Sequence, residues 1–169
     1  LTNLVASNLP LLAGTKLYSL EIDQGLAANT EALRLSKVTG NYRAELVATA
    51  TAAYLLIEKG SFKEALASAE TAAALSRQYG LDVVVAVAER HQASAYLEMG
   101  KCGKASELAE LAWDLCIEHG FELYIGGWCL GLIVRSSSDN SRRNWAISEG
   151  FQLCSKGTVS HNHYYFYRD

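Results

Sequence analysis

Between Phe62 and Tyr79, Ala65, Leu66, Ala69, Ala72, Ala73 and Leu75 recur largely three and four residues apart. That spacing lines one face of an α-helix. The same stripe returns forty residues later as Ala105, Leu108, Ala109, Ala112, Trp113 and Cys116. Ahead of each stripe lies a second helical stretch, and glycines punctuate the chain at 40, 60, 80, 100 and 120. A glycine just past a helix end supplies the left-handed residue that lets the turn satisfy the last carbonyls. The pattern therefore predicts paired helices, with helix A over Tyr42–Lys59 and helix B over Phe62–Tyr79. Ser61 is the expected N-cap of helix B, with Glu64 three residues on completing a capping box.

The pairs repeat. Residues 41–80 and 81–120 align without a gap at eleven identical positions, among them Ala53/Ala93, Gly60/Gly100, Ala65/Ala105, Ala72/Ala112 and Gly80/Gly120. Residues 21–40 join the same register through Leu26, Ala27, Ala32, Leu35, Ser36 and Gly40. A fixed period of this length is the mark of a stacked array. A degenerate fourth unit places helix A over about 122–135 and helix B over about 142–155, with one inserted residue assigned to the polar run Ser136–Ser141 and Ser141 as cap. The first A helix is expected over Asn8–Leu20, with Pro10 in its first turn. Asn162–Asp169 would open a fifth unit. The expected fold is all-α, a right-handed α-solenoid of about four helix pairs (1–40, 41–80, 81–120, 121–160) and a stub (161–169), forming a single domain.

Composition gives this pattern a mechanical meaning. The chain has 169 residues and 24 alanines but only 9% aromatics. Alanine on facing positions lets paired helices approach closely, so Ala53 and Ala93 should meet Ala65 and Ala105. The net charge of −3 lacks the basic excess of a nucleic-acid binder. No apolar run is long enough to span a bilayer. Cysteines at 102, 116, 129 and 154 are too dispersed for a metal knuckle. They are expected to be reduced, with Cys116 and Cys154 packed at interfaces, in a cytoplasmic protein.

Ala93, Tyr96, Gly100, Ala105 and Ala112 keep the offsets of a tetratricopeptide repeat, as do Ala53, Gly60, Ala65 and Ala72, with Leu56 in place of the Tyr. The chain resembles that family over nearly its whole length. It departs in its forty-residue unit, the missing early Trp and the absence of a closing proline. Longer, alanine-rich units of this kind are similar to the helical-repeat regions of bacterial MalT-like transcription regulators and of multidomain adenylate or guanylate cyclases. The resemblance implies a superhelix whose A helices line a concave face that meets extended peptides. It also implies a regulatory module of a larger protein.

Candidate chemistry is sparse. No nucleotide-binding, zincin or hydrolase motif occurs, and no catalytic residue, cofactor or metal is expected. His161 and His163 have metal-like spacing, but residues two apart on a helix do not face each other. Gly126-Gly127 reads as a place where another backbone comes close. Arg142-Arg143 beside Trp145 reads as structural rather than as a nucleic-acid contact. Glu89-Arg90-His91 interrupts an apolar A helix. By the repeat, Ala50, Tyr54 and Ile57 match Arg90, Ser94 and Leu97, while Tyr42, Arg43 and Tyr124 lie at A-helix entrances. These give the concave-face candidates Tyr42, Arg43, Tyr54, Arg90, Ser94 and Tyr124. An Arg among aromatics suits a carboxylate or a backbone carbonyl, and the competing reading is a salt bridge from Arg90 to Glu89 or near Glu45.

Leu1 and the aromatic finish give the expectation of a fragment. An A helix without its B partner should expose Tyr164, Tyr165, Phe166 and Tyr167 for packing on another chain, as in a homodimer. Protein or peptide contact through the concave face, or contact with another domain of the same chain, is the first functional expectation. A small-ligand sensor of the MalT-like kind is the second. No nucleic-acid or membrane partner is expected. A deep, closed concave pocket would favour the sensor, and an open groove the scaffold.

Overall fold

The computed structural model describes residues 2–19 and 21–168. Leu1, Leu20 and Asp169, which fall in the expected first unit and stub, lie outside the described residues. Among those described, nine α-helices and one π-helical turn follow one another without a strand. They are α1 (Thr2–Tyr18), α2 (Ile22–Thr39), α3 (Tyr42–Lys59), α4 (Phe62–Tyr79), α5 (Asp82–Glu98), α6 (Cys102–His119), the π turn (Glu122–Gly126), α7 (Gly127–Ser136), α8 (Asn140–Ser155) and α9 (Ser160–Arg168). None is long and apolar enough to cross a membrane.

Each helix packs on the next, which is the arrangement of a helical repeat. The odd-numbered helices also touch in series: α1 on α3, α3 on α5, α5 on α7 and α7 on α9. No comparable contact joins α2 to α4, α4 to α6 or α6 to α8. Hence the odd helices form the inner layer and the even ones the outer layer. Ala53, Ala65, Ala93 and Ala105 are all fully buried, so the alanine positions read as close contacts are interior. Ser36, Ser76 and Cys116, at equivalent places in successive outer helices, are small and buried as well.

The glycine punctuation acts as expected. Gly60 and Gly80 have φ of 82° and 64°. At the first, Gly60 N–H donates to the Ile57 carbonyl and Ser61 N–H to the Leu56 carbonyl at 2.9 Å, closing the helix as a Schellman turn.

Capping differs from expectation. Ser61 makes no side-chain cap bond, and α8 is capped by Asp139 rather than Ser141. Asn41 does cap α3, accepting from Ala44 N–H at 3.0 Å. The residues after these glycines have ψ near 60–85° rather than extended values, so the longer amide reaches the first turn where the shorter hydroxyl does not. Helix α1 starts at Thr2 instead of Asn8, which places Pro10 inside the helix rather than in its first turn.

The inserted residue of the fourth unit also falls elsewhere. Val84 and Val87, three residues apart, line the same cavity as Tyr124 and Trp128, four residues apart. The π turn between them takes up the extra residue, because a π-helical turn holds one more residue than an α turn. The Ser136–Ser141 connection does not.

Candidate binding site

Two of the concavities differ in character. One, of about 560 Å³, is bounded by Glu58, Lys59, Glu98, Arg135 and Arg168. Its charges answer one another: Arg168 reaches Glu58 at 3.0 Å and Arg135 reaches Glu98 at 2.9 Å. The other, of about 380 Å³, lies on the inner face. Helix α1 bounds it with Pro10 and Leu11, α3 with Val47, Ala50 and Tyr54, and α5 with three valines, Arg90 and His91. Tyr124, Ile125, Trp128 and His161 complete the wall. Mostly apolar walls with a few convergent polar groups are the usual build of a small-molecule site.

The repeat register puts the polar groups there. Ala50 and Thr51 of α3 line the cavity, and so do their forty-residue equivalents Arg90 and His91. Arg90 is 3% exposed, and its guanidinium lies 3.4 Å from the centroid of the Trp128 ring, a close cation–π contact. Its Nη2 is 2.8 Å from His91 Nε2. A guanidinium only donates, so Nε2 accepts and the imidazole proton sits on Nδ1. Burial, and then the Arg90 charge, push the His91 pKa well below its ordinary value, keeping the ring neutral. Glu89, beside them in sequence, is buried facing α4 and pairs with Arg77.

At this wall Tyr54 Oη and His91 Nδ1 find no hydrogen-bond partner among the described residues. Tyr54 is 9% exposed and His91 2%. Buried polar groups are paired in the great majority of cases, so each such atom calls for an explanation.

Helix α9 closes the far side. The π turn presents the Leu123 and Tyr124 carbonyls to it. Asn162 Nδ2 donates to Leu123 at 2.9 Å, and His161 Nε2–H donates to Tyr124 at 2.7 Å. The Trp128 indole N–H donates in return to the His161 carbonyl at 3.2 Å. Gly127 permits this approach, because a Cβ there would lie 2.8 Å from the Asn162 carbonyl oxygen. Burial outweighs the Tyr124 contact and lowers the His161 pKa.

Of the six concave-face candidates, the cavity gathers Tyr54, Arg90 and Tyr124. Tyr42 is outside it, stacked on Tyr79 at 4.6 Å, Arg43 is exposed, and Ser94 is half-buried elsewhere on α5. Sequence reasoning singled out His91 and His161 without placing them in the site, and missed Trp128. The forty-residue match of His91 to Thr51 was an available signal for the first. The aromatic end divides as well. Tyr165 and Phe166 are 3% and 7% exposed, while Tyr164 and Tyr167 are 55% and 62% exposed. Tyr165 packs on Trp128 at 4.2 Å and on Tyr54 at 6.0 Å, so only the outer pair is open to another chain.

Other flagged groups have structural contacts. Arg142 makes a two-pronged pair with Glu110 and lies 3.6 Å over Trp145. His161 faces Trp128, whereas His163 lies nearest Tyr167. All four cysteines are free. The Cys116 thiol is pushed far above its ordinary pKa by its contact with Cys129 and by burial.

No family model, curated protein or solved structure shows a significant match to the chain.

Proposed function

We propose that this chain is a non-catalytic, ligand-sensing module of a larger cytoplasmic regulator. It would form a right-handed array of four tetratricopeptide-like pairs whose inner cavity receives a small molecule. The observation that carries this reading is the cavity itself. About 380 Å³ of largely apolar space is bounded by α1, α3, α5, the π turn and α7, with Tyr54 Oη and His91 Nδ1 unpartnered among the described residues. Because the wall joins successive repeats, a bound molecule would bias their packing, and an array transmits such a bias from neighbour to neighbour. The MalT-like or cyclase-like setting rests on the sequence resemblance.

Protein contact remains a second reading for a different surface. Tyr164, Tyr167 and the 53%-exposed Phe151 cluster at the C-terminal end, where a partner or a second copy could pack.

Calorimetric titration with the neutral probe 4-phenylbutyramide tests the ligand reading. Saturable one-to-one binding is expected, with a Kd on the order of 1 mM, since small ligands gain about 0.3 kcal/mol per heavy atom. Val47→Trp, at the partly exposed rim of the cavity, should abolish it. Binding that survives the substitution would contradict the reading, as would no binding of this probe or of its carboxylate counterpart.

A further inference from the structure

Building on the reading of the cavity as a ligand site, we propose that its ligand is a small apolar carboxylate. The acid group would be set against Arg90, His91 and Tyr54, and the body would lie along the valine wall.

Charge selects the acid. Among the described lining residues Arg90 is the one permanently charged side chain, and neither Asp nor Glu is present. Hydrogen-bond direction makes the same selection. The Arg90 contact fixes the His91 proton on Nδ1, and that N–H has no acceptor among the described residues. The Tyr54 hydroxyl likewise lacks a partner. The rings of these two residues lie 5.5 Å apart, and both line the cavity together with Arg90. Two oxygens with four lone pairs and a single negative charge match that set. A cationic ligand would meet Arg90 with like charge. A doubly charged phosphate would bring one charge more than the wall supplies.

The rest of the wall asks for hydrocarbon. Leu11, Val47, Val83, Val84 and Val87 offer no directional partner. The volume, near the low end of the roughly 300–1,000 Å³ typical of such sites, fits a compact aromatic or branched acid. Both donor atoms are buried, so binding would require Tyr54 and His91 to turn toward the bound oxygens.

The test compares 4-phenylbutyrate with 4-phenylbutyramide on the unmodified chain by calorimetry at pH 7.5. The two probes have the same shape and differ in charge. The acid is expected to bind about tenfold more tightly, as charge-assisted hydrogen bonds imply. Tyr54→Phe, which keeps the ring, should reduce that preference severalfold, and Arg90→Met should erase it. If Arg90→Met fails to fold, Tyr54→Phe and the acid–amide comparison still decide. Equal binding of acid and amide would overturn the carboxylate inference and leave the cavity reading standing. Binding of neither probe would overturn both.

Discussion

The Arg90 guanidinium on α5 donates to Nε2 of the adjacent His91, 2.8 Å away, and so fixes which imidazole nitrogen carries the proton. It also ties the charge state of His91 to the fold. The ring is neutral and buried, with its pKa lowered well below 6.5 by desolvation and by the neighbouring charge.

From this follows a pH dependence of stability. In the unfolded chain His91 takes up a proton as the pH falls below about 6.5, while in the folded chain it does not. The unfolded state then binds more protons, so stability is retained above pH 6.5 and lost below it. His161 acts in the same sense, its pKa also being lowered. The fully buried His91 contributes a slope approaching about 1.4 kcal/mol per pH unit, and the half-exposed His161 less. Urea unfolding at pH 7.5 and 5.5 should show the loss, and His91→Gln should make it shallower. An unchanged slope in that variant would contradict the assignment.

Gly127 should be intolerant of a side chain. Alanine would gain up to about 1 kcal/mol in helix propensity, but its Cβ would meet the Asn162 carbonyl oxygen at 2.8 Å and the Asn162 Cβ at 3.0 Å. Overpacking against backbone costs about 1–3 kcal/mol, so Gly127→Ala should be destabilising on balance. Hydrogen exchange should quicken first in α9, which is held at this point.

Tyr165 and Tyr164 are neighbours with opposite expectations. Removing the buried ring, Tyr165→Ala, should cost about 3–5 kcal/mol in chemical denaturation. Tyr164→Ala should stay within about 0.5 kcal/mol, as exposed substitutions do. If the C-terminal end associates, light scattering should respond to Tyr164→Ser with Tyr167→Ser.

At the alanine contacts, Ala93→Leu should destabilise the chain by about 1–3 kcal/mol, since the site is fully buried in the main core. Denaturant midpoints measure this directly. A neutral result would mean that the paired helices are not closely packed there.

The repeat was legible because each unit solves the same packing problem with the same residues. Tyr42–Lys59 and Phe62–Tyr79 are the observed bounds of α3 and α4, read from the glycines that follow them and from one apolar stripe. The last third was harder for physical reasons. A π turn leaves no composition signature, whereas the polar Ser136–Ser141 run offers an obvious place for an extra residue. Tyr165 and Phe166 looked available because an A helix without a B partner should be exposed. Their burial depends on the π-turn carbonyls and on Gly127 and Gly150, which open room for α9. The site was half legible. Register alone places Arg90 across from Ala50, but the way α1, α7 and α9 meet around it depends on how the array curves. That curvature sums small rotations which no local pattern records.

Trp128 offers the most direct measurement of the central claim. The chain has three tryptophans, so the indole N–H region of a nitrogen–proton correlation spectrum carries three signals to compare. Of these residues, only Trp128 lines the inner cavity, while Trp113 and Trp145 pack against each other elsewhere. Titration with 4-phenylbutyrate, or with its amide, should move the Trp128 signal saturably and leave the other two in place. A Trp128 signal that stays fixed under both probes, or three signals that drift together, would contradict the account.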